Sequence, residues 1–261
     1  MKRAFTLIEL VLVLAVLALL AHLAVASLTK VRDLKTKEMA DRGLEEMRGA
    51  SAKFLSDMGR MPKLTGSGKE GTLAELWAKP EDVDRYALKE AVSSNLCAGV
   101  SGEKGVYVPT GWKGPYIKLP MGKGELYDPW GNPMRELDDM DLRRLEVTNG
   151  WVVAASHYGE SAQAKDKATL ALVPEGGSES TLLVNVVSLK GETTGSAEVK
   201  WFGPFEGLVT GEVANVSCPG TKVFKGLTPG KRVLVNKFGG KTSARYIELE
   251  PGDNVVEVQL P

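Results

Sequence analysis

The sequence predicts an α+β protein with one long N-terminal helix, a small antiparallel sheet packed on that helix and an all-β sandwich at the C-terminus. Three patterns predict this. Residues 5–28 form a nearly unbroken apolar run, residues 29–58 repeat apolar side chains at three- and four-residue steps, and the C-terminal third alternates apolar and polar residues. The chain has 261 residues, which is enough for this set of elements.

The balanced charge of the chain argues against a polyanionic partner such as nucleic acid. The 33 basic residues equal the 33 acidic residues, so no net field attracts nucleic acid, and we expect no nucleic-acid partner. The two cysteines, Cys97 and Cys218, can form at most one disulfide, and the sequence leaves their pairing open.

The apolar run at 5–28 predicts a membrane segment. As a helix, its 24 residues would extend about 36 Å, which is enough to cross a bilayer. Its strongly polar members are Glu9 and His22. Because Lys2 and Arg3 precede the run, the positive-inside rule predicts a cytoplasmic N-terminus and places the following residues across the membrane.

The carboxylate of Glu9 is unusual at this depth. Insertion scales give a cost of about 2.5 to 3.5 kcal/mol for such a group, so a partner is expected unless the side chain reaches the head groups. His22 lies near the far interface, where a titratable ring needs no special role.

The stretch "KRAFTLIELVLVLAVLALLA" resembles the leader and first helix of type IV pilins and of the pseudopilins of type II secretion. The resemblance implies cleavage after Ala4, which stands where the family usually has glycine, and methylation of Phe5 as the mature N-terminus. It also makes Glu9 the glutamate at the fifth mature position. In a filament, that carboxylate would lie against the N-terminal amine of a neighbouring copy, where a low dielectric strengthens the pairing.

Beyond the membrane, the helix is predicted to continue through 29–58 with one apolar stripe and to end before Gly59 and Pro62. The predicted stripe consists of Val31, Leu34, Leu44, Met47, Ser51, Phe54, Leu55 and Met58.

Residues 59–127 are rich in Gly, Pro and Lys and predict a long connector. We expect one short helix in it, within "GTLAELWAKPEDVDRYALKEAV" and broken near Pro80. After it, "LRRLEVTNGWVVAAS" predicts two strands joined by a turn at Asn149-Gly150, and "ATLALVP" predicts a third. This sheet is expected to cover the stripe of the long helix.

Four segments of the connector, "GRMP", "GTLAELWAKP", "GWKGPYIKLP" and "DPWGNP", resemble in that order the signatures of the major, G-type pseudopilin. The last predicts a rigid turn: its prolines fix two φ angles, its Gly and Asn tolerate positive φ, its Trp anchors apolar surface, and its Asp accepts backbone N–H groups. We assign these residues to fold integrity and subunit packing: Asp128, Pro129, Trp130, Gly131, Asn132 and Pro133.

The resemblance implies a calcium ion in the loop after the sheet, which reads "ASHYGESAQAKDKAT" here. The candidate ligands are Glu160 and Asp166, with Ser161 beside them. Since Lys165 and Lys167 add positive charge, we expect this calcium site to be weakened or lost. No other cofactor is expected.

The same loop places His157 and Glu160 at the spacing used by some zinc peptidases. A zinc enzyme needs a third ligand, and the other histidine, His22, belongs to the membrane segment. No nucleophile elbow or phosphate loop is present in the sequence, so we expect no enzyme.

A shift to Gly and Ser at "PEGGSEST" predicts a boundary, and six or seven short strands follow it. The stretch from "VFKGL" to "VVEVQL" resembles a carboxypeptidase-regulatory-like sandwich. This sandwich could lengthen the subunit or contact cargo, carbohydrate or another pilus component. The predicted divisions are a leader at 1–4, a membrane and filament-core helix at 5–28, an amphipathic helix at 29–58, a globular domain at 59–175 and an accessory sandwich at 180–261.

Together, these patterns predict a structural subunit of a type II secretion pseudopilus or a related type IV pilus-like filament. The alternative is a membrane-anchored minor pilin, adhesin or cargo-binding protein that uses its C-terminal sandwich. The resemblance implies as partners further copies of the chain, a prepilin peptidase, an assembly ATPase with its inner-membrane platform, and minor pseudopilins. Membrane lipid would surround the helix before assembly. We expect a single-pass inner-membrane protein with periplasmic globular parts, later assembled into a periplasmic or surface filament.

Overall fold

The computed structural model confirms the α+β class. Its first element is the helix α1 (Leu7–Met58), whose 52 residues extend about 78 Å at 1.5 Å per residue. Strands follow α1 along the chain, most of them C-terminal. The residues that the structure describes are 7–62, 73–91, 105–131, 135–136, 153–157, 167–171, 179–188 and 195–260.

The buried face of α1 begins at Ala40. Val31 and Leu34 were predicted to belong to the buried stripe, and this is wrong: they are 49% and 68% exposed. They lie on a stretch of α1 that precedes the part of the helix covered by the globular region. The other residues of the predicted stripe are buried: Leu44, Met47, Ser51, Phe54, Leu55 and Met58.

The connector contributes core and strands instead of a loop. It forms a 3₁₀ turn (Ala74–Leu76) and the antiparallel strands β1 (Ala87–Glu90) and β2 (Tyr107–Thr110). The predicted helix is therefore wrong beyond this short turn, because Pro80 disfavours helix at the residue before it and β1 pairs with β2. Apolar residues of this region pack on the buried face of α1: Leu73, Leu76, Val83, Trp112 and Ile117.

A three-stranded antiparallel sheet lies against α1, as expected, but its first strand is not the one predicted. The predicted first strand, "LRRLEVT", lies outside the described residues, and the described first strand is a segment for which no strand was predicted. It consists of β3 (Arg135–Glu136), β4 (Val153–His157) and β5 (Lys167–Ala171), with β4 in the centre. The strand predictions for "VVAAS" and "ATLALVP" are confirmed at β4 and β5. The predicted turn at Asn149-Gly150 lies outside the described residues.

The C-terminal region is a seven-stranded sandwich. Its two sheets have the orders β11-β10-β7-β8 and β12-β6-β9, and every pair is antiparallel except β6 with β12. Leu182, Phe224 and Leu234 lie in the core between the sheets. The strands are β6 (Ser180–Ser188), β7 (Gly195–Phe205), β8 (Leu208–Cys218), β9 (Gly220–Leu227), β10 (Gly230–Phe238), β11 (Lys241–Leu249) and β12 (Gly252–Leu260).

The four-stranded sheet is buried on both faces of its central strands. One face covers the sandwich core, and the other lies against β2 and the C-terminal end of α1. A third apolar cluster therefore crosses the predicted boundary between the globular region and the sandwich. Its members are Ala91, Val106, Val108, Phe202, Val209, Val233 and Val235.

The cation of Arg232 is buried near the start of β10. The Arg232 guanidinium donates to the carbonyl of Lys231 at 2.9 Å and to the carbonyl of Thr228 at 2.6 Å. Burial lowers the pKa of Arg232 to about 10. The guanidinium lies beside Gly203, where an added Cβ would be 2.1 Å from Arg232 Cδ. Because glycine has no Cβ, position 203 leaves space for the side chain of Arg232.

Candidate functional site: the exposed half of the long helix

The N-terminal part of α1 is apolar around its whole circumference and is exposed at every described side chain from Leu7 to Leu28. Consecutive residues such as Leu10, Val11 and Leu12 point in different directions because each residue turns the helix by about 100°. A helix that is apolar on all sides requires an apolar surrounding, either lipid or other helices. The 22 residues from Leu7 to Leu28 extend about 33 Å, close to the thickness of a hydrocarbon core.

Glu9 lies in the first turn of α1, on its exposed surface. A negative charge at this end is favoured by the partial positive charge of the helix N-terminus. Ala4 and Phe5 lie outside the described residues, so the contact of Glu9 with a neighbour's amine stays a prediction. His22 is also exposed, 13 residues further along α1.

The turn at 128–131 has the hydrogen bonds that its sequence predicts. Buried Asp128 accepts from the backbone N–H of Trp130 through Oδ1 and from that of Gly131 through its carbonyl oxygen, both at 3.0 Å. Gly131 has a φ of +89°, which favours glycine. Asn132 and Pro133 lie outside the described residues. A turn closed by its own hydrogen bonds acts in the fold, and its part in subunit contacts stays a prediction.

The candidate metal ligands Glu160 and Asp166 lie outside the described residues, so the calcium site stays a prediction. His157 ends strand β4. Cys218 is buried in the sandwich core as a free thiol, and Cys97 lies outside the described residues.

The end of α1 carries a half-buried carboxylate at its junction with the rest of the protein. The hydroxyl of Tyr116 donates to Asp57 Oδ2 at 3.2 Å. Burial raises the pKa of Asp57, and the nearby cations Lys113 and Lys231 oppose that rise. Burial also raises the pKa of Tyr116, so its hydroxyl keeps its proton at neutral pH. The junction thus joins α1, the connector and the sandwich through polar as well as apolar groups.

The sandwich has a cleft of about 840 Å³ between its edge strands β11 and β12. Ser243 and Arg245 line one wall, and Val256 and Val258 line the other. The Arg245 guanidinium donates across the cleft to the carbonyl of Glu257. Val255, which is 64% exposed, adds an accessible apolar side chain to this cleft.

The junction residues were missed by sequence reasoning. Gly59 has a φ of +69°, and a Cβ there would be 2.0 Å from the carbonyl oxygen of Pro204 in the sandwich. The sequence signal, a glycine after the helix, predicted the helix end correctly and carried no information about the partner strand.

Comparison with known protein families matches the N-terminal end of the chain. Residues 1–25 match the family described as the prokaryotic N-terminal methylation motif. The comparison with curated proteins found no match. Together with the exposed apolar helix, the motif supports a filament subunit of the pilin or pseudopilin type with single-pass membrane anchoring.

Proposed function

We propose that this chain is a structural subunit of a type II secretion pseudopilus or a closely related pilus-like filament. The observation that carries the proposal is the methylation motif at residues 1–25, on a helix whose apolar half is exposed at every described side chain. Lipid surrounds that half before assembly. In the filament, the equivalent helices of neighbouring copies replace the lipid.

In this proposal a prepilin peptidase cuts after Ala4, and Phe5 becomes the methylated N-terminus. Glu9 then meets the amine of Phe5 in a neighbouring copy. An unpaired carboxylate in an apolar surrounding is costly, whereas one paired with a cation at close range is far less so, so the pair fixes how neighbouring helices align.

The proposed setting is the inner membrane, with the N-terminus cytoplasmic and the globular parts periplasmic. The motor for assembly would be a cytoplasmic ATPase with its membrane platform, and minor pseudopilins would be further partners. The 128–133 turn would maintain the fold near contacts between subunits.

The first test is the mature N-terminus. Mass spectrometry of the assembled protein should find a chain that begins at methylated Phe5. An intact Met1, or cleavage after Ala26, would contradict the proposal.

The second test is assembly with altered charge in the apolar helix. Glu9→Gln should reduce the mass of sheared filaments at least tenfold, because the amine loses its anionic partner. The matched variant His22→Gln changes a polar residue of the same exposed helix and should assemble like the parent. Equal assembly of Glu9→Gln and the parent, in pure and in mixed populations, would reject the role of Glu9.

The cleft between β11 and β12 supports a second candidate function, a tethered adhesin or cargo receptor. Its volume of about 840 Å³ is in the range of ligand sites. The two candidates differ in one observable: a subunit forms filaments from this chain alone, whereas a receptor requires another protein as the filament body.

A further inference from the structure

Just beyond the apolar half, α1 carries a basic collar, which we define as Lys30, Arg32, Lys35 and Lys37. All four side chains are exposed. Residues 30–37 contain these four cations and one carboxylate, Asp33, which gives a net charge of +3. With 3.6 residues per turn, Lys30 and Lys37 lie on one side of the helix, and Arg32 and Lys35 lie on the opposite side.

The next segment of α1 has the opposite charge. We define its acidic face as Glu38, Asp41, Glu45 and Glu46, all of them exposed. Residues 38–48 contain these four carboxylates and two arginines, so their net charge is −2. The four carboxylates fall within roughly 140° of the helix circumference, opposite the buried residues that face the globular region.

Exposed apolar residues accompany these charges. Val31, Leu34 and Met39 are 49%, 68% and 60% exposed. At 1.5 Å per residue, Leu34 lies about 9 Å and Met39 about 16 Å beyond Leu28. The hydrocarbon core ends near Leu28, and the head-group layer adds only about 5 to 8 Å on each side. Met39 therefore lies too far from the hydrocarbon core for lipid to cover its side chain. A protein surface is the kind of partner that can cover it.

We propose that the basic collar of one copy contacts the acidic face of a second copy of this chain. The inference rests on the proposed filament function. Copies anchored in one membrane run parallel, so the contact requires an axial offset. The mean position is 33.5 for the four cations and 42.5 for the four carboxylates, which gives an offset of nine residues. Nine residues correspond to about 13 to 14 Å along the axis.

Ion pairs within the helix of one copy leave the contact between the basic collar and the acidic face of a second copy possible. Glu38 pairs with Arg42 at 2.6 Å and Glu45 with Arg48 at 2.7 Å, and the carboxylate side chains of both pairs remain more than half exposed. Exposed carboxylates of this kind can accept a further cation. Because a helical filament gives each copy neighbours at several axial offsets, the collar contact and the Glu9 contact can join different pairs of copies. The collar contact would set alignment outside the membrane, where complementary charge gives specificity more than affinity.

The test is a charge exchange in the full chain, expressed with its assembly machinery. One variant reverses the collar (Lys30→Glu, Arg32→Glu, Lys35→Glu), a second reverses the acidic face (Asp41→Lys, Glu45→Lys, Glu46→Lys), and a third combines both. The control reverses three exposed lysines elsewhere (Lys118→Glu, Lys123→Glu, Lys225→Glu). Sheared filament mass is measured, and protease accessibility and melting temperature report membrane insertion and folding.

Each single reversal should lower filament mass at least tenfold, and the combined variant should return to within about twofold of the parent, because opposite charges again face each other. The control should assemble like the parent. A combined variant as defective as the collar reversal would overturn the inference, since a collar that bound anionic lipid would give that result. Unchanged assembly of either single reversal would overturn it as well. Absence of filaments from the parent chain would instead reject the proposed function itself.

Discussion

The last residue of the long helix is hydrogen-bonded to the turn of a sandwich hairpin: the backbone N–H of Gly207 donates to the carbonyl of Met58 at 3.0 Å. The carbonyl of Gly207 accepts from Lys89 Nζ at 3.2 Å. A Cβ at position 207 would lie 3.0 Å from Val83 Cγ1 and 3.1 Å from the Met58 methyl. Gly207 is therefore enclosed by the helix end and the connector, whereas Phe205 and Leu208 on either side of the turn stay exposed.

Gly207→Ala should destabilise the protein more than an equally strained control. Gly207 has a φ of +75° and Gly226 has a φ of +69°, but a Cβ at 226 would meet nothing within 4 Å. We expect Gly226→Ala to cost about 1 to 2 kcal/mol for the left-handed backbone alone. Gly207→Ala should cost about 1 to 3 kcal/mol more, because it also overpacks the junction. Denaturant unfolding of the detergent-solubilised chain measures both, and equal losses would contradict the enclosed turn.

The globular region and the sandwich should unfold together. Val108 is buried in the apolar cluster that β2 shares with the four-stranded sheet, so Val108→Ala should remove about 2 kcal/mol from a single transition. The control Leu88→Ala, in the neighbouring strand and 62% exposed, should have little effect. Calorimetry distinguishes the cases: two separate transitions, with only one shifted by Val108→Ala, would show that the cluster does not couple the two regions.

The stability of the junction should depend on the ionisation of Asp57. Its pKa is raised in the folded protein, so the folded state holds its proton more tightly than the unfolded state does. Stability should therefore fall as the pH rises from about 4 through the raised pKa of Asp57. Asp57→Asn should remove this fall, because the amide oxygen still accepts from Tyr116 without carrying charge.

Asp84 provides the opposite case when the free energy of unfolding is measured as a function of pH. Its hydrogen bond and ion pair with Lys89 lower its pKa, so the stability it contributes is present above about pH 4 and lost as the pH falls through the lowered value. The carboxylate is exposed, and the effect of Asp84→Asn should be small.

An unchanged pH profile in Asp57→Asn would contradict the role assigned to Asp57.

Gly203 and Arg232 should show strong coupling in a double-mutant cycle. Gly203→Ala forces the buried guanidinium to move, and we expect a loss of at least about 2 kcal/mol. In the background of Arg232→Ala the same change should cost much less, which gives a coupling energy of about 1 to 3 kcal/mol. Gly124→Ala, where a Cβ meets nothing within 4 Å, is the control for the glycine substitution. Additive losses at 203 and 232 would show that the two positions do not share space.

Local patterns predicted the elements whose periodicity is local. The helix α1 and the strands β4 and β5 lie where apolar spacing places them, and the seven strands of the sandwich agree with the predicted number of six or seven. The residues of the predicted α1 stripe from Leu44 onward are all buried, and Ala50 is a buried residue that the prediction missed. Apolar spacing defines one face of the helix, but it does not show at which residue the globular region begins to cover that face. Val31 and Leu34 lie before that point and are therefore exposed.

The connector and the junction could not be predicted in the same way. The strand β1 forms through its pairing with β2, and "YALKEAV" alone has a pattern that suits helix as well. The fit of Gly207 against Met58 depends on two residues far apart in the chain, and neither has a local signature for the other. At the candidate site, composition was sufficient to find Glu9 and the apolar run, because their contrast is local.

The attachment of the sandwich to the last turn of α1 has a mechanical consequence. A body linked by a flexible tether would lag behind or swing freely when its anchor moved. Here the backbone hydrogen bond at Gly207 and the shared apolar cluster fix the sandwich rigidly to the end of the helix. A force that displaces the helix along its axis therefore displaces the sandwich by the same distance.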